Sequence, residues 1–279
     1  MIQPTISTNP NDYDWIAEFR SFTSFHYLIL AITIVLFASL CIIGKSLLKR
    51  DLLKGTNREQ TFRRLLAWII IVTQTFFFIR RLTPEHWDLQ DSLPLHLCRW
   101  TVWVAAWALF TLNPKMRSLL LFWGIALSSQ AYFTPMIREG AGSWAFWIYW
   151  INHTQIIGAA VYDIAVLGYR PNRKALYFGM FWGTAYGIFA VILNAILGTN
   201  YTYLGQGTHN APSLVDKLGP YPLRTVWMIL GGNAMCIIVY LISAGMLKVR
   251  TQIFKKPPPR MFTAADFPIQ RPSPNEPRP

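Results

Sequence analysis

Seven apolar stretches divide the chain, and polar, often basic segments separate them. The stretches cover residues 26–44, 65–79, 94–112, 118–137, 144–168, 175–198 and 223–247. A helix needs about 20 mostly apolar residues to cross a bilayer, and the second stretch is the shortest of the set. The pattern predicts an all-α fold, a polytopic membrane helix bundle with seven transmembrane helices.

The composition agrees with a membrane-embedded chain. Of the 279 residues, 53% are hydrophobic and only 14% are charged, whereas soluble domains carry about 25% charged residues. The net charge of +13 would suggest nucleic acid on a soluble protein. Here the basic residues lie between the apolar stretches, so we expect membrane lipids as partners and no nucleic acid. The sequence identifies no protein partner.

The distribution of Lys and Arg predicts the orientation. Most of the 26 basic residues lie in segments 45–64, 115–117 and 170–174 and in the tail that follows residue 247. Cytoplasmic loops carry the excess of Lys and Arg, so we expect the N-terminus outside and the C-terminus in the cytoplasm. The expected domains are an extracytoplasmic segment over 1–25, a seven-helix transmembrane domain over 26–248 and a Pro-rich, disordered cytoplasmic tail over 249–279.

Polar residues inside the apolar stretches are the candidate functional residues. The third stretch opens with His96, Cys98 and Arg99, and ionisable residues at such positions usually face the bundle interior. Further polar residues, nearly all expected in the outer half of the membrane, are Gln130, Asn152, His153, Gln155, Asn194, Asn200, Tyr201, Arg224 and Asn233. They predict a polar cavity open to the outer side. The alternative is interhelical hydrogen bonding, worth about 0.6 kcal/mol per pair.

Cys98 is the candidate nucleophile. A thiol becomes nucleophilic when a helix N-terminus or a nearby cation lowers its pKa, and Arg99 follows Cys98 in the sequence. On an ideal helix His96 points about 200° away from Cys98. A base would therefore come from His153, from another helix or from a distorted first turn. A buried cysteine is also a common packing residue.

The sequence contains no metal-binding spacing. The three cysteines form no CxxC pair, and neither HxxxH nor HExxH occurs. We therefore expect neither a metal ion nor another cofactor.

An ordered series of short motifs between about residues 60 and 247 carries a family resemblance. The motifs are Leu-Pro-Leu-His-Leu-Cys at 93–98, Asn-Pro at 113–114, Thr-Pro at 134–135, His-Thr-Gln at 153–155, Asn194, Gly-Thr-Asn-Tyr-Thr-Tyr-Leu at 198–204, Ser-Leu-Val-Asp at 213–216 and Leu-Gly-Pro at 218–220. The series resembles the YwaF-type family of bacterial multi-pass integral membrane proteins.

This resemblance implies a multi-pass protein of the bacterial plasma membrane. The family is remotely similar to a eukaryotic membrane phospholipid acyltransferase for which a cysteine nucleophile has been proposed. The resemblance would make Cys98 the acyl carrier and His96 or His153 the base.

Three functions remain open from the sequence. The first is a lipid-active acyltransferase or hydrolase, in which Arg99 and Arg224 hold a phosphate head group, since Arg matches phosphate bidentately. The second is a transporter or a ligand- or lipid-binding protein without covalent catalysis. The third is a structural membrane assembly protein whose polar residues only join helices.

Overall fold

The computed structural model describes residues 13–206, 214–254 and Thr263. The α-helices are α1 Ser24–Lys54, α2 Arg58–Arg81, α3 Leu97–Thr111, α4 Pro114–Leu119, α5 Gln130–Phe133, α6 Trp144–Ala165, α7 Arg173–Leu197 and α8 Leu223–Phe254. A π-helix, Leu120–Leu127, continues α4. Within the described residues the only β pairing is an isolated bridge between Glu18 and Glu139. The predicted all-α class is confirmed.

Four helices, α1, α2, α7 and α8, are each long and apolar enough to cross a membrane. Helix α3 is apolar but has 15 residues. These helices support a membrane-embedded protein, while the count of seven spans and the orientation stay predictions. Residues 1–12 and, apart from Thr263, the tail beyond α8 lie outside the described residues.

The helices alternate in direction, so the bundle has two ends. At one end, called the Cys98 end, the Tyr186 hydroxyl from the middle of α7 donates to the Leu95 carbonyl at 2.7 Å, just before α3 begins. At the opposite end, called the Arg117 end, the Ser118 hydroxyl of α4 donates to the Ala175 carbonyl of α7 at 2.7 Å.

The α1–α2 turn is closed by one carboxylate. Asp51, in the last turn of α1, accepts the backbone amides of Arg58 and Glu59 at 3.0 and 2.7 Å. These amides open α2, where no carbonyl of the same helix can reach them. Gly55 provides the left-handed residue of the turn, with φ of 64°. Asp51 therefore caps the neighbouring helix and fixes the hairpin.

The fourth apolar stretch is broken, whereas the sequence predicts one continuous helix. Its π-helix ends where the Ser128 amide and hydroxyl both donate to the Trp123 carbonyl, at 2.9 and 2.7 Å. The chain then turns and forms the single-turn helix α5. Such a break leaves backbone groups without helical partners at a depth where lipid offers none.

Side chains from other helices satisfy the carbonyls of α5. The Tyr149 hydroxyl of α6 donates to the Ala131 carbonyl at 3.0 Å. The His26 ring of α1 contacts the Tyr132 carbonyl through Nε2 at 3.1 Å and accepts the Phe22 amide at Nδ1. The Ala131 and Tyr132 carbonyls therefore have partners within the protein, the condition under which irregular backbone is tolerated in a membrane.

The segment before α1 is attached to the loop before α6. The Gly140 amide donates to the Ala17 carbonyl at 3.1 Å and the Gly142 amide to the Ile16 carbonyl at 2.8 Å. A Cβ atom at position 140 would lie 2.5 Å from the Ile16 carbonyl oxygen. Only glycine permits this approach, which holds residues 15–19 on the bundle.

The Arg117 end contains a buried ion pair. The Arg117 guanidinium contacts the Asp163 carboxylate through Nε at 2.9 and 3.0 Å and through its terminal nitrogen at 2.7 Å. The two residues are only 1% and 3% exposed. The Arg117 guanidinium also stacks on Tyr169, 4.7 Å from the ring centroid. The pair joins α4 to the end of α6.

A second buried pair lies at the same end. Arg63 Nε is 3.4 Å from Glu59 Oε1, which also accepts the Tyr162 hydroxyl at 2.9 Å. The Arg63 guanidinium donates to the Leu109 carbonyl in the last turn of α3. A cation at a helix C-terminus stabilises the free carbonyls there. Helices α2, α3 and α6 are connected by this group.

Replacement of Arg117 by Met is expected to destabilise the fold by about 3–5 kcal/mol, because it leaves the buried Asp163 carboxylate without its cation. The Arg117→Met/Asp163→Leu double variant is expected to regain most of the loss. Reversible unfolding in detergent would measure both. Equal losses in the single and double variants would contradict this account.

Replacement of Gly44 by Ala is expected to destabilise the bundle by about 1–3 kcal/mol. The new Cβ would lie 2.5 Å from Cε2 of Tyr162, whose ring is 1% exposed and is fixed by Glu59. Gly231→Ala in α8 is the matched control, since among the described residues no atom beyond the local backbone of α8 lies within 4 Å of its Cβ position. Thermal unfolding in detergent distinguishes the two, and an equal shift would refute the packing argument.

Candidate functional site

Helix α3 begins at Leu97, later than the predicted start at residue 94. His96 is its N-cap residue, with extended backbone angles of −79° and 138°. Cys98 lies in the first helical turn, on the face that continues through Val102 and Ala105, both fully buried. The thiol therefore faces the bundle interior.

Charged and phenolic groups converge on Cys98 from several elements. Electrostatic interactions connect the thiol with Arg81, Asp91 and Arg99 and with Tyr149, Tyr186 and Tyr203. These groups belong to α2, the loop before α3, α3 itself, α6, α7 and the loop after α7. The convergence defines the candidate site, called the Cys98 site.

Two guanidiniums in this site share one carboxylate. Arg99 donates to the carboxylate and backbone carbonyl of Asp91 and to the Leu93 carbonyl at 2.9 Å. Arg81 Nε lies 3.5 Å from the other Asp91 oxygen. The two arginine side chains are 11% and 13% exposed, whereas that of Asp91 is 59% exposed. The two arginines outweigh the carboxylate by one positive charge.

His96 contacts two loops, the one after α7 and the one before α3. Its Nδ1 accepts the Thr202 amide at 3.3 Å, and the ring packs edge-on against Tyr201 with centroids 5.4 Å apart. A further hydrogen bond connects the ring with the Gln90 backbone. Since Nδ1 accepts, the proton of the neutral ring is on Nε2.

His153 has the opposite tautomer. Its Nδ1 lies 2.8 Å from the Tyr149 carbonyl, one turn earlier in α6. A carbonyl only accepts, so Nδ1 carries the proton and Nε2 holds the free electron pair. The His153 and Tyr149 rings are 4.4 Å apart. In the described part of the chain no hydrogen bond connects Cys98 with either histidine.

The loop after α7 is organised by Asn194. The Asn194 amide nitrogen donates to the Tyr201 carbonyl at 2.9 Å, while its oxygen accepts the Tyr201 amide at 2.7 Å and the Thr199 hydroxyl at 3.0 Å. This support permits positive φ angles of 54° at Thr202 and 62° at Tyr203. The Tyr201 hydroxyl donates to the loop before α3.

Other residues predicted to bind substrate have internal partners. The Asn200 side chain accepts the Gly205 amide at 2.8 Å, and Arg224 donates to the Gly205 carbonyl at 2.6 Å. Asn233 of α8 donates to the Thr184 hydroxyl of α7 at 2.9 Å. These contacts shape the loop near the site and join α7 to α8.

The remaining predicted residues lie on α5 and α6. Gln155 accepts the Gln74 amide at 2.8 Å and donates to the Thr73 hydroxyl at 2.6 Å, connecting α6 to α2. Asn152 is buried, whereas Gln130 at the start of α5 is exposed. In residues 13–206 and 214–254 no three His, Cys, Asp or Glu side chains form a metal-binding group.

Sequence reasoning missed Arg81, Asp91, Tyr149 and Tyr186 as members of the site. Arg81 resembled a loop charge, and Asp91 lies just before the Leu-Pro-Leu-His-Leu-Cys motif without a special spacing. Two signals could have pointed to them: an acidic residue beside that motif, and tyrosines within apolar stretches rather than at their ends.

The pH dependence of stability tests the environment of His96. Burial, with the Arg99 cation as a smaller cause, lowers the pKa of His96 to about 4, against about 6.5 in an unfolded chain. Between these values the unfolded chain binds the proton and the folded chain does not. The stability is therefore expected to fall by about 1–3 kcal/mol as the pH decreases from 6.5 to 4.

His96→Gln should reduce this pH dependence, measured as unfolding free energy in detergent. The Asp91 pKa is lowered by Arg99 and Arg81, against an opposing effect of burial. The contribution of Asp91 to the folding stability is present above about pH 4 and is lost only below that pH. It therefore stays constant between about pH 4 and 6.5. An unchanged pH profile in His96→Gln would contradict a neutral His96 in the folded protein.

Of the comparisons with known proteins, the comparison with family models identifies the family. No curated protein and no solved structure matches the chain. The model of the TMEM164 family matches residues 21–243, which include the Cys98 site and seven of the eight helices in full. This match does not test the YwaF-type bacterial membership that the motifs predict, so that membership stays a prediction. The chain belongs to the TMEM164 family, a family of membrane proteins.

Proposed function

We propose that the protein is a membrane enzyme that acts on phospholipid acyl esters, as an acyltransferase or hydrolase with Cys98 as nucleophile. The observation that carries the proposal is the convergence of Arg81, Arg99 and three tyrosines on the half-buried thiol at the start of α3. Burial disfavours ionisation of the Cys98 thiol, whereas the helix N-terminus and the Arg99 and Arg81 cations favour it. The mechanism therefore needs a base. The membrane environment supplies phospholipids as the substrate class.

His153 is the better candidate for the base. Its Nε2 holds a free electron pair because Nδ1 donates to the Tyr149 carbonyl. The electron pair of His96 is already used by the Thr202 amide. Tyr149 interacts electrostatically with Cys98 and contacts the His153 ring, so it connects nucleophile and base. His96 then acts as a positioning residue for the loop over the site.

The reaction proceeds through a thioester. His153 accepts the Cys98 proton as the sulfur attacks the ester carbonyl, forming the C–S bond and breaking the ester C–O bond. The departing alkoxide takes that proton from His153 and leaves as a lysolipid. The amides of Leu97 and Cys98, which have no carbonyl acceptor earlier in α3, are suited to stabilise the oxyanion.

The second half transfers the acyl group to an acceptor. The hydroxyl of a lysolipid, or of water in a hydrolase, loses its proton to His153 and attacks the thioester. The new C–O bond forms, the C–S bond breaks and the thiolate recovers the proton. Among the predicted substrate-binding residues, Arg99 interacts electrostatically with the Cys98 thiol. For the others we propose that they shape the surroundings of the site: Gln130, Asn152, Gln155, Asn194, Asn200, Tyr201, Arg224 and Asn233.

The proposal includes the arrangement that the sequence predicts. It assigns seven spans, an extracytoplasmic N-terminus and a cytoplasmic C-terminus in the plasma membrane of a bacterium. The Cys98 end then faces the outer leaflet. Most basic loop residues are at the Arg117 end, which supports its cytoplasmic location.

A binding function without covalent catalysis is the second candidate. It is favoured by one observation: the described residues show no hydrogen bond from Cys98 to a histidine. In that case Cys98→Ser would retain function, whereas a covalent mechanism requires the sulfur.

Cys98→Ala is expected to abolish acyl transfer by the purified protein in phospholipid vesicles that contain a lysophospholipid acceptor. His153→Gln should lower the rate about 10²- to 10⁴-fold, the usual contribution of a general base, and His96→Gln should lower it less. Mass spectrometry of acyl-chain composition provides the measurement.

Cys236→Ala is the matched control, because Cys236 is buried between other helices and should leave the rate unchanged. Trapping of a hydroxylamine-labile acyl adduct on wild type, absent in Cys98→Ala, would support the thioester directly. Full activity of Cys98→Ala and His153→Gln would reject the proposal.

A further inference from the structure

We propose that Arg81 and Arg99 form a binding subsite for a phosphate ester, in which the Asp91 carboxylate occupies the place of the phosphate until the ligand enters. The ligand class is a glycerophospholipid head group. This inference names the substrate contact of the Cys98 site and so rests on the proposed function. Three features of the subsite support it.

The first feature is the imbalance between donors and acceptors. Two guanidiniums that are nearly nine-tenths buried share a single carboxylate. Arg81 Nε is buried without a hydrogen-bond partner and lies 3.5 Å from the Asp91 oxygen. An unpaired buried donor is costly. A phosphate ester offers more acceptor oxygens than a carboxylate and matches guanidinium forks bidentately.

The second feature is that Asp91 can leave without dismantling the subsite. Its side chain is 59% exposed, whereas the arginines beneath it are 11% and 13% exposed. Arg99 is also held by the backbone carbonyls of Asp91 and Leu93. These carbonyls keep the guanidinium in place when the carboxylate turns to solvent. The exchange therefore needs only a side-chain rotation in the loop before α3.

The third feature is the depth of the subsite. Exposed tryptophans surround this end of the bundle: Trp87 and Trp100 are 49% and 45% exposed, and Trp144 is 53% exposed. Arg80, the neighbour of Arg81, lies over the Trp144 ring at 5.2 Å. Tryptophan is enriched at the head-group level of membranes. We therefore expect the two arginines at the level of lipid phosphates.

The charge state agrees with this assignment. The arginines lower the pKa of Asp91, so the carboxylate is ionised at neutral pH and competes with an incoming phosphate. A purely structural bridge and a phosphate subsite therefore respond oppositely to neutralisation of Asp91. Removal of the competitor strengthens phosphate binding, whereas removal of a structural carboxylate only weakens the fold.

Equilibrium binding to the Cys98→Ala protein in a maltoside detergent tests the inference, because this background prevents turnover. The probes are phosphatidylglycerol, diacylglycerol with the same acyl chains, and glycerol 3-phosphate. Phosphatidylglycerol should bind and diacylglycerol should not. Binding of glycerol 3-phosphate alone would identify a soluble phosphate ester as the ligand and would overturn the lipid assignment.

Arg81→Gln and Arg99→Gln are each expected to weaken phosphatidylglycerol binding about 10- to 100-fold, the usual effect of losing a charged hydrogen bond. Asp91→Asn is expected to strengthen it about 3- to 30-fold. Arg138→Gln and Asp88→Asn are the matched controls, since both residues are exposed loop charges at the same end, and each should change the affinity less than twofold.

Weaker or unchanged phosphatidylglycerol binding by a folded Asp91→Asn protein would overturn the inference. So would diacylglycerol binding that is unchanged in Arg81→Gln and Arg99→Gln. Should Asp91→Asn not fold, Arg81→Lys decides: it keeps the charge and should bind more tightly than Arg81→Gln, while equal losses would overturn the subsite. The test of the proposed function is independent of this binding test. An active Cys98→Ala protein would refute the proposed function, whatever the binding result.

Discussion

The constraint on which this structure depends is the need to satisfy every backbone polar group inside an apolar environment. Where the chain is helical, the helix itself meets the need. At the break after the π-helix it cannot, and Tyr149 and His26 donate to the carbonyls of α5 instead. Arg63 does the same at the end of α3. Several polar residues in apolar helices therefore exist to complete the backbone hydrogen bonding.

This constraint also explains the two kinds of polar group in the bundle. At the Arg117 end the ionic groups are paired with each other: Arg117 with Asp163, and Arg63 with Glu59. At the Cys98 end two arginines share one exposed carboxylate beside a thiol and several tyrosines. The first arrangement connects helices. The second leaves capacity for a ligand, and the proposed chemistry is located there for that reason.

The two histidines illustrate how the structure distinguishes residues that the sequence treats alike. Both are polar residues expected at one depth, and either could serve as a base. Their hydrogen bonds assign opposite tautomers, because His96 accepts from an amide and His153 donates to a carbonyl. Asn194 and Arg224 are similar cases: the sequence predicts ligand contact, and the structure connects both to the loop that covers the site. Substrate contact by these residues remains a prediction.

The all-α class, the membrane environment and the positions of most helices follow from the sequence alone, because hydrophobic runs and their flanking charges are local properties. The sequence also predicted Cys98 and both histidines as site residues, since polar residues are conspicuous within apolar runs, and these roles stay predictions. Only the tertiary structure revealed the break in the fourth stretch, the burial of Arg117 with Asp163 and the placement of Arg81 and Asp91 beside Cys98. These features depend on partners 46 residues apart along the chain, as for Arg117 and Asp163, or on different helices, and no local pattern records which charge meets which partner.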